Sequence, residues 1–114
     1  MNLPNAHIAI VDARKVSDYL LNAAHPDNGG KAKFFEALGY VRPDTSPLVT
    51  ALKSVAAAGN VVDQLESAHG QKYVVDGLLM SHTDQSRFRP VRTIWIIEGP
   101  MGAPRLVTAY PGEE

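Results

Sequence analysis

The chain has 114 residues, 45% of them hydrophobic and 20% charged, with a net charge of −1 and no cysteine. That size and balance suit one globular domain spanning 1–114, and they exclude a disordered chain, a disulfide scaffold, thiolate metal sites and a cysteine nucleophile. A near-neutral sum also excludes a protein that coats duplex nucleic acid through bulk charge.

The first half, 1–59, reads as mainly helical. Residues 3–10 (LPNAHIAI) form a short apolar lead-in. Val16, Tyr19, Leu20 and Ala23 then fall at helical spacing, one stripe of a first helix over about Lys15–Leu21. The run His25-Pro26-Asp27-Asn28-Gly29-Gly30 is dense in breakers and ends it. A second helix is expected over about Lys31–Leu38, with Phe34, Phe35 and Leu38 on one side and Gly39 closing it. A third starts at Ser46-Pro47, carries Leu48, Ala51, Leu52 and Val55 inward, and stops at Gly59.

From residue 60 to 111 the apolar period becomes two. Four strands are expected over about Asn60–Ser67, Lys72–Met80, Val91–Glu98 and Arg105–Tyr110, although Val61, Val62 and Leu65 also fit a continued helix. Short connections between successive strands favour an antiparallel meander. Helices followed by strands imply an α+β fold, about three N-terminal helices packed on a four-stranded antiparallel sheet. The third strand has apolar residues on both faces, which suits a central position. Trp95 and Tyr73 are expected in the core.

No segment approaches the ~20 apolar residues of a membrane span. The opening MNLPNAHIAIVDARK lacks the basic-then-apolar order of a secretory signal, so a cytoplasmic protein without membrane contact is expected. HxH, HExxH, GxGxxG, GxSxG and Walker patterns are missing, which leaves no metal or cofactor expected.

The motifs LPN (Leu3–Asn5), YLLN (Tyr19–Asn22), HP (His25-Pro26), GGKAKFFEALGY (Gly29–Tyr40) and RTIWII…PRLVTAYP (Arg92–Pro111), taken in order, resemble an uncharacterised bacterial domain family. Its members occur as small free-standing proteins and as C-terminal domains of polymorphic toxins. The layout, with its Thr-Ala-Tyr-Pro ending, is also similar to the ribonuclease toxin superfamily of RelE-like proteins, barnase and colicin-type nucleases. That resemblance implies a metal-independent endoribonuclease toxin acting on RNA, paired with a cognate antitoxin or immunity protein. This chain departs from the RelE-like pattern in being neutral rather than strongly basic.

Cleavage of that kind needs proton transfer at two oxygens and cations around the phosphate. His25, in a Pro/Gly-rich loop leading into a helix, is the acid/base candidate. Lys31, at the start of that helix, is taken with the loop's backbone amides to cradle the phosphate, and Lys33 is a weaker substrate-binding candidate, since a solvated surface lysine fits that position better. Between Arg87 and Arg105 the chain has four arginines (Arg87, Arg89, Arg92, Arg105) against one acid, Glu98. Such an excess suits one anionic ligand or solvated strand faces. Arg92 and Arg105 are taken as phosphate binders. Strict alternation puts Leu106, Thr108 and Tyr110 on one face, so Thr108 and Tyr110 offer two hydroxyls that complete the site. The remaining histidines, His7, His69 and His82, read as surface residues. The near-neutral charge equally suits a non-catalytic protein-binding module built on the same scaffold.

Overall fold

A computed structural model describes residues 1–112. A 3₁₀ turn over Ala6–Ile8 opens the chain. α1 (Ala13–Lys15) runs straight into a π-helical turn over Val16–Leu20, and α2 (Lys31–Ala37) and α3 (Ser46–Ala58) follow. β1 (Asn60–Ser67), β2 (Gly70–Met80), β3 (Phe88–Ile97) and β4 (Arg105–Pro111) form one antiparallel sheet in the order β1-β2-β3-β4. Three helical elements packed on a four-stranded antiparallel sheet is the α+β arrangement that the change of period implies.

The inner sheet face carries Val75, Leu79, Val91, Thr93 and Trp95, all buried. Val16 and Leu20 of the π-turn, Phe35 of α2 and Leu48, Leu52 and Val55 of α3 close over it as one cluster. Along β3, Val91, Thr93, Trp95 and Ile97 alternate onto this face, and the bulkiest of them is the fully buried Trp95. Its ring nitrogen donates to the Thr93 hydroxyl at 2.7 Å, and that hydroxyl donates to the Val75 carbonyl at 2.9 Å. Both polar groups are therefore satisfied inside the core, as burial requires.

Two local departures from the regular periods shape the site. The stripe Val16/Tyr19/Leu20 reads as an α-helix, but Leu21 bonds back five residues to Val16 at 2.8 Å, the spacing of a π-turn. In β4 the strict alternation fails. Ile94 pairs with Thr108 while Trp95 pairs with Leu106, so Val107 is bulged out. Leu106 consequently turns inward beside Ala109, and both are buried, whereas the alternating pattern put Leu106 with Thr108 and Tyr110. Thr108 and Tyr110 remain opposite Ile94 and Arg92 on the outer face. The outer edge of β4 is partly sealed, since Ile10 bridges it in parallel through bonds to Pro104 and Leu106 of 2.8 and 3.0 Å.

Gly39 links α2 to Tyr40 at φ 91°, a left-handed conformation that costs an L-residue about 1–2 kcal/mol. A Cβ there would also lie 2.5 Å from the Thr83 methyl. Gly39→Ala is expected to lower stability by at least about 1–2 kcal/mol, measured as a lower urea midpoint with an unchanged slope.

Candidate functional site

The loop after the π-turn is built around Asn28, which is 2% exposed. Its amide donates to the Tyr19 and Leu20 carbonyls at 2.7 and 3.2 Å, and its Oδ1 accepts from the Ala32 amide at 2.9 Å. One side chain thus ties the carbonyls that the π-turn frees to the start of α2. Lys31 Nζ donates to the Asp27 and Asn28 carbonyls at 3.1 and 3.2 Å, closing the same loop from outside.

This frame fixes His25. Its Nδ1 accepts from the Asp27 amide at 3.0 Å, so the neutral ring carries its proton on Nε2. The ring meets the Tyr19 ring edge-on at 4.9 Å between centroids. Tyr19 in turn shares a 3.0 Å hydrogen bond with the Thr108 hydroxyl on β4. Lys15 Nζ donates to the Val107 carbonyl, exposed by the bulge, at 3.0 Å. The ammonium groups of Lys15 and Lys31 stand 5.9 and 5.3 Å from the Tyr19 ring centre, within cation–π range. Between the π-turn, the His25 loop and β4 lies an open cavity of about 730 Å³, with Lys15, Tyr19, His25 and Thr108 in its wall together with Asp12, Arg14, Asp18, Asp27 and Val107.

The other expected site residues lie apart from this cavity. Arg92 is on the outer sheet face, paired across the strands with Asp76 and with Tyr110. Its guanidinium donates twice to the Asp76 carboxylate, at 2.7 and 2.8 Å. Those bonds hold the Asp76 carboxyl below its ordinary value and push Arg92 above its own, with Tyr110 adding a smaller effect on the arginine. Arg105 is engaged by Glu98 at the far end of the face. Lys33 is exposed on α2. Thus the structure groups His25 and Thr108 with Lys31 close behind, leaves Arg92 and Tyr110 together on the neighbouring face, and separates Arg105 and Lys33 from both.

Because the folded Asp76 value is depressed, its pairing stabilises the fold fully above the ordinary carboxylate value of 3.8 and is lost as pH falls through the lowered one. Asp76→Asn is therefore expected to be less stable than the parent near neutrality. The difference should shrink below pH 3.8 in acid-unfolding curves followed by circular dichroism. A gap that stays constant with pH would assign the loss to something other than the charge.

Lys15 and Tyr19 line this cavity, and sequence reasoning did not single them out. Tyr19 belongs to the YLLN motif, yet its spacing placed it simply on the apolar stripe of a first helix; a π-turn has no distinct signature of its own in hydrophobic spacing. Among the described residues no group of three or more His, Asp or Glu side chains is placed to hold a metal ion. Among them too, no helix is long and apolar enough to cross a membrane.

The fold and cavity define a class: a small α+β domain with helical elements on one face of an antiparallel meander and a mixed-charge pocket at the sheet edge. The chain belongs to the family described as a domain of unknown function, DUF6883, which it matches over residues 2–113. No curated protein matches it. Among solved structures, a chain of the contact-dependent growth inhibition toxin–immunity protein complex from Klebsiella pneumoniae 342 is similar with a TM-score of 0.73 and 18% identity, covering 96% of this chain and 98% of that one. At that identity the likeness establishes the fold.

Proposed function

We propose that this protein is a bacterial toxin domain that cleaves RNA without a metal ion and is held in check by an antitoxin or immunity protein. The observation that carries the reading is the convergence of His25, Lys15, Tyr19 and Thr108 on one cavity. The resemblance of its motif string to a family that includes C-terminal domains of polymorphic toxins supports it. So does the similar fold of a chain from a toxin–immunity complex.

In metal-free cleavage the 2′-oxygen attacks phosphorus and the bond to the 5′-oxygen breaks, giving a 2′,3′-cyclic phosphate and a 5′-hydroxyl. A proton must leave the first oxygen and another must reach the second. His25 Nε2–H is a hydrogen-bond donor as it stands. To take or give a whole proton the ring must release the Asp27 amide from Nδ1, because either role requires a proton there. Thr108 and Tyr19 supply hydroxyls beside it, and Arg92 with Tyr110 lies on the adjoining sheet face, where flanking nucleotides would cross.

Inducing the chain alone and following growth and total RNA, with and without EDTA in the lysate assay, tests the reading. Growth arrest with EDTA-resistant RNA fragments is expected. Normal growth with intact RNA would overturn it.

The second reading is a non-catalytic module that binds a protein partner. A separate feature favours it. β2 continues through Gly77–Met80 past its last β1 partner, Asp76. An apolar groove of about 880 Å³ lies between that segment and α3, with Leu78 and Phe88 63% and 45% exposed. Harmless expression together with a stable protein complex would select this reading.

A further inference from the structure

In the cavity at the β4 edge, the cation closest to a substrate phosphate need not be the one nearest His25 in sequence. Lys31 has three ammonium protons, and two are already committed to the carbonyls of Asp27 and Asn28. It packs on the Tyr19 ring and does not line the cavity. Lys15 does line it and has one proton committed, to the Val107 carbonyl, which leaves two to donate. The bond between the Tyr19 and Thr108 hydroxyls uses one of their two protons, so one hydroxyl proton also remains for a ligand. With His25 Nε2–H these donors match the two non-bridging oxygens of a phosphodiester.

We infer that Lys15 and the Tyr19–Thr108 hydroxyl pair form a subsite for a single phosphodiester, while Lys31 is a positioning residue that fixes the His25 loop. The inference deepens the nuclease reading and rests on it only for the choice of RNA as the polymer. A single phosphate, rather than a track, follows from the charges around the wall. Arg14 and Lys15 stand against Asp12, Asp18 and Asp27, so the cavity as a whole does not attract anions. Asp12 is partly occupied by the Arg14 amide at 2.9 Å, and Asp18 faces Arg42 at 3.9 Å. What remains is local: two positioned ammonium protons and a hydroxyl, an arrangement that grips one phosphate and rejects its neighbours.

The test uses the full chain and a fluorescent 2′-O-methyl RNA hexamer, whose blocked 2′-oxygen prevents cleavage, with binding followed by anisotropy over a range of salt. Lys15→Met is expected to weaken binding by ~10-fold or more, the scale of a charge-assisted bond. It should also lower the salt slope by about 0.7, the value of one single-strand phosphate contact. Lys15→Arg should recover the slope, and Tyr19→Phe should weaken binding without changing it. Lys31→Met should keep the slope of the parent whatever it does to His25 order. A wild-type chain that does not bind the hexamer, an unchanged slope in Lys15→Met, or an equal drop in Lys31→Met would each overturn the inference. Binding that follows this pattern in a chain that cuts no RNA would sink the nuclease reading alone. Cleavage of natural RNA by Lys15→Met at the parent rate and with the parent slope would sink the subsite alone.

Discussion

Replacing His25 with alanine is expected to abolish growth arrest and to slow RNA cleavage by about 10²–10⁴-fold, the usual contribution of one positioned proton-transfer group. The fold should survive the change. His25 is half-buried in a loop, its ring touches Tyr19 at one edge, and the loop is tied independently by Asn28 and Lys31. The change removes the Nδ1 acceptor of the Asp27 amide, but that amide lies at an exposed position where water replaces the lost partner. Parallel thermal melts and RNA-fragment gels separate the two effects. An unaltered melt with activity lost assigns His25 to the chemistry. Full activity in His25→Ala would remove the cavity from consideration and direct attention to Arg92 and Tyr110 on the outer face.

Trp95→Ala should be the most damaging single change to the fold, at about 3–5 kcal/mol. The side chain is fully buried in the last third of β3 and packs in the cluster shared by the sheet, the π-turn and α3. Truncation also strips the Thr93 hydroxyl of the indole donor, although that hydroxyl keeps its bond to the Val75 carbonyl. Trp95→Phe retains most of the volume and loses the N–H, so it should cost distinctly less. Trp95 is the one tryptophan of the chain, so urea unfolding must be followed by circular dichroism. Similar losses for the two variants would mean that the hydrogen bond outweighs the packing.

α3 and the order of the four strands were legible in the sequence because local signals there agree with tertiary demand. Pro47 falls in the first turn of α3 and Gly59 at its end, and β1 spans Asn60–Ser67 as the change of period implies. The helical alternative for Val61, Val62 and Leu65 gave way to pairing with β2. The site was less legible, for two physical reasons. Sequence spacing assumes ideal periods, and the site is assembled where both periods break, at the π-turn that presents Tyr19 and at the bulge that frees the Val107 carbonyl for Lys15. It also cannot foresee partners. Arg92 was readable as part of the arginine excess between Arg87 and Arg105, but the Asp76 carboxylate opposite it comes from the neighbouring strand and is set by register alone.

The π-turn over Val16–Leu20 also constrains how the chain can change over generations. Relative to an α-helix it holds one surplus residue in its turn. Loss of any one codon in that stretch would take out the residue that widens the turn, and the present spacing between Lys15, Leu20 and the carbonyls that follow would be lost. Leu20 would leave the core or Lys15 would leave Val107, and the carbonyls captured by Asn28 would return to ordinary helix bonds. A helix-length change that most proteins absorb at the surface would here separate the hydroxyl pair from its cation. Insertions and deletions should therefore be rarer between Lys15 and Asn28 than in the Ser81–Arg87 turn, where the chain is almost entirely exposed.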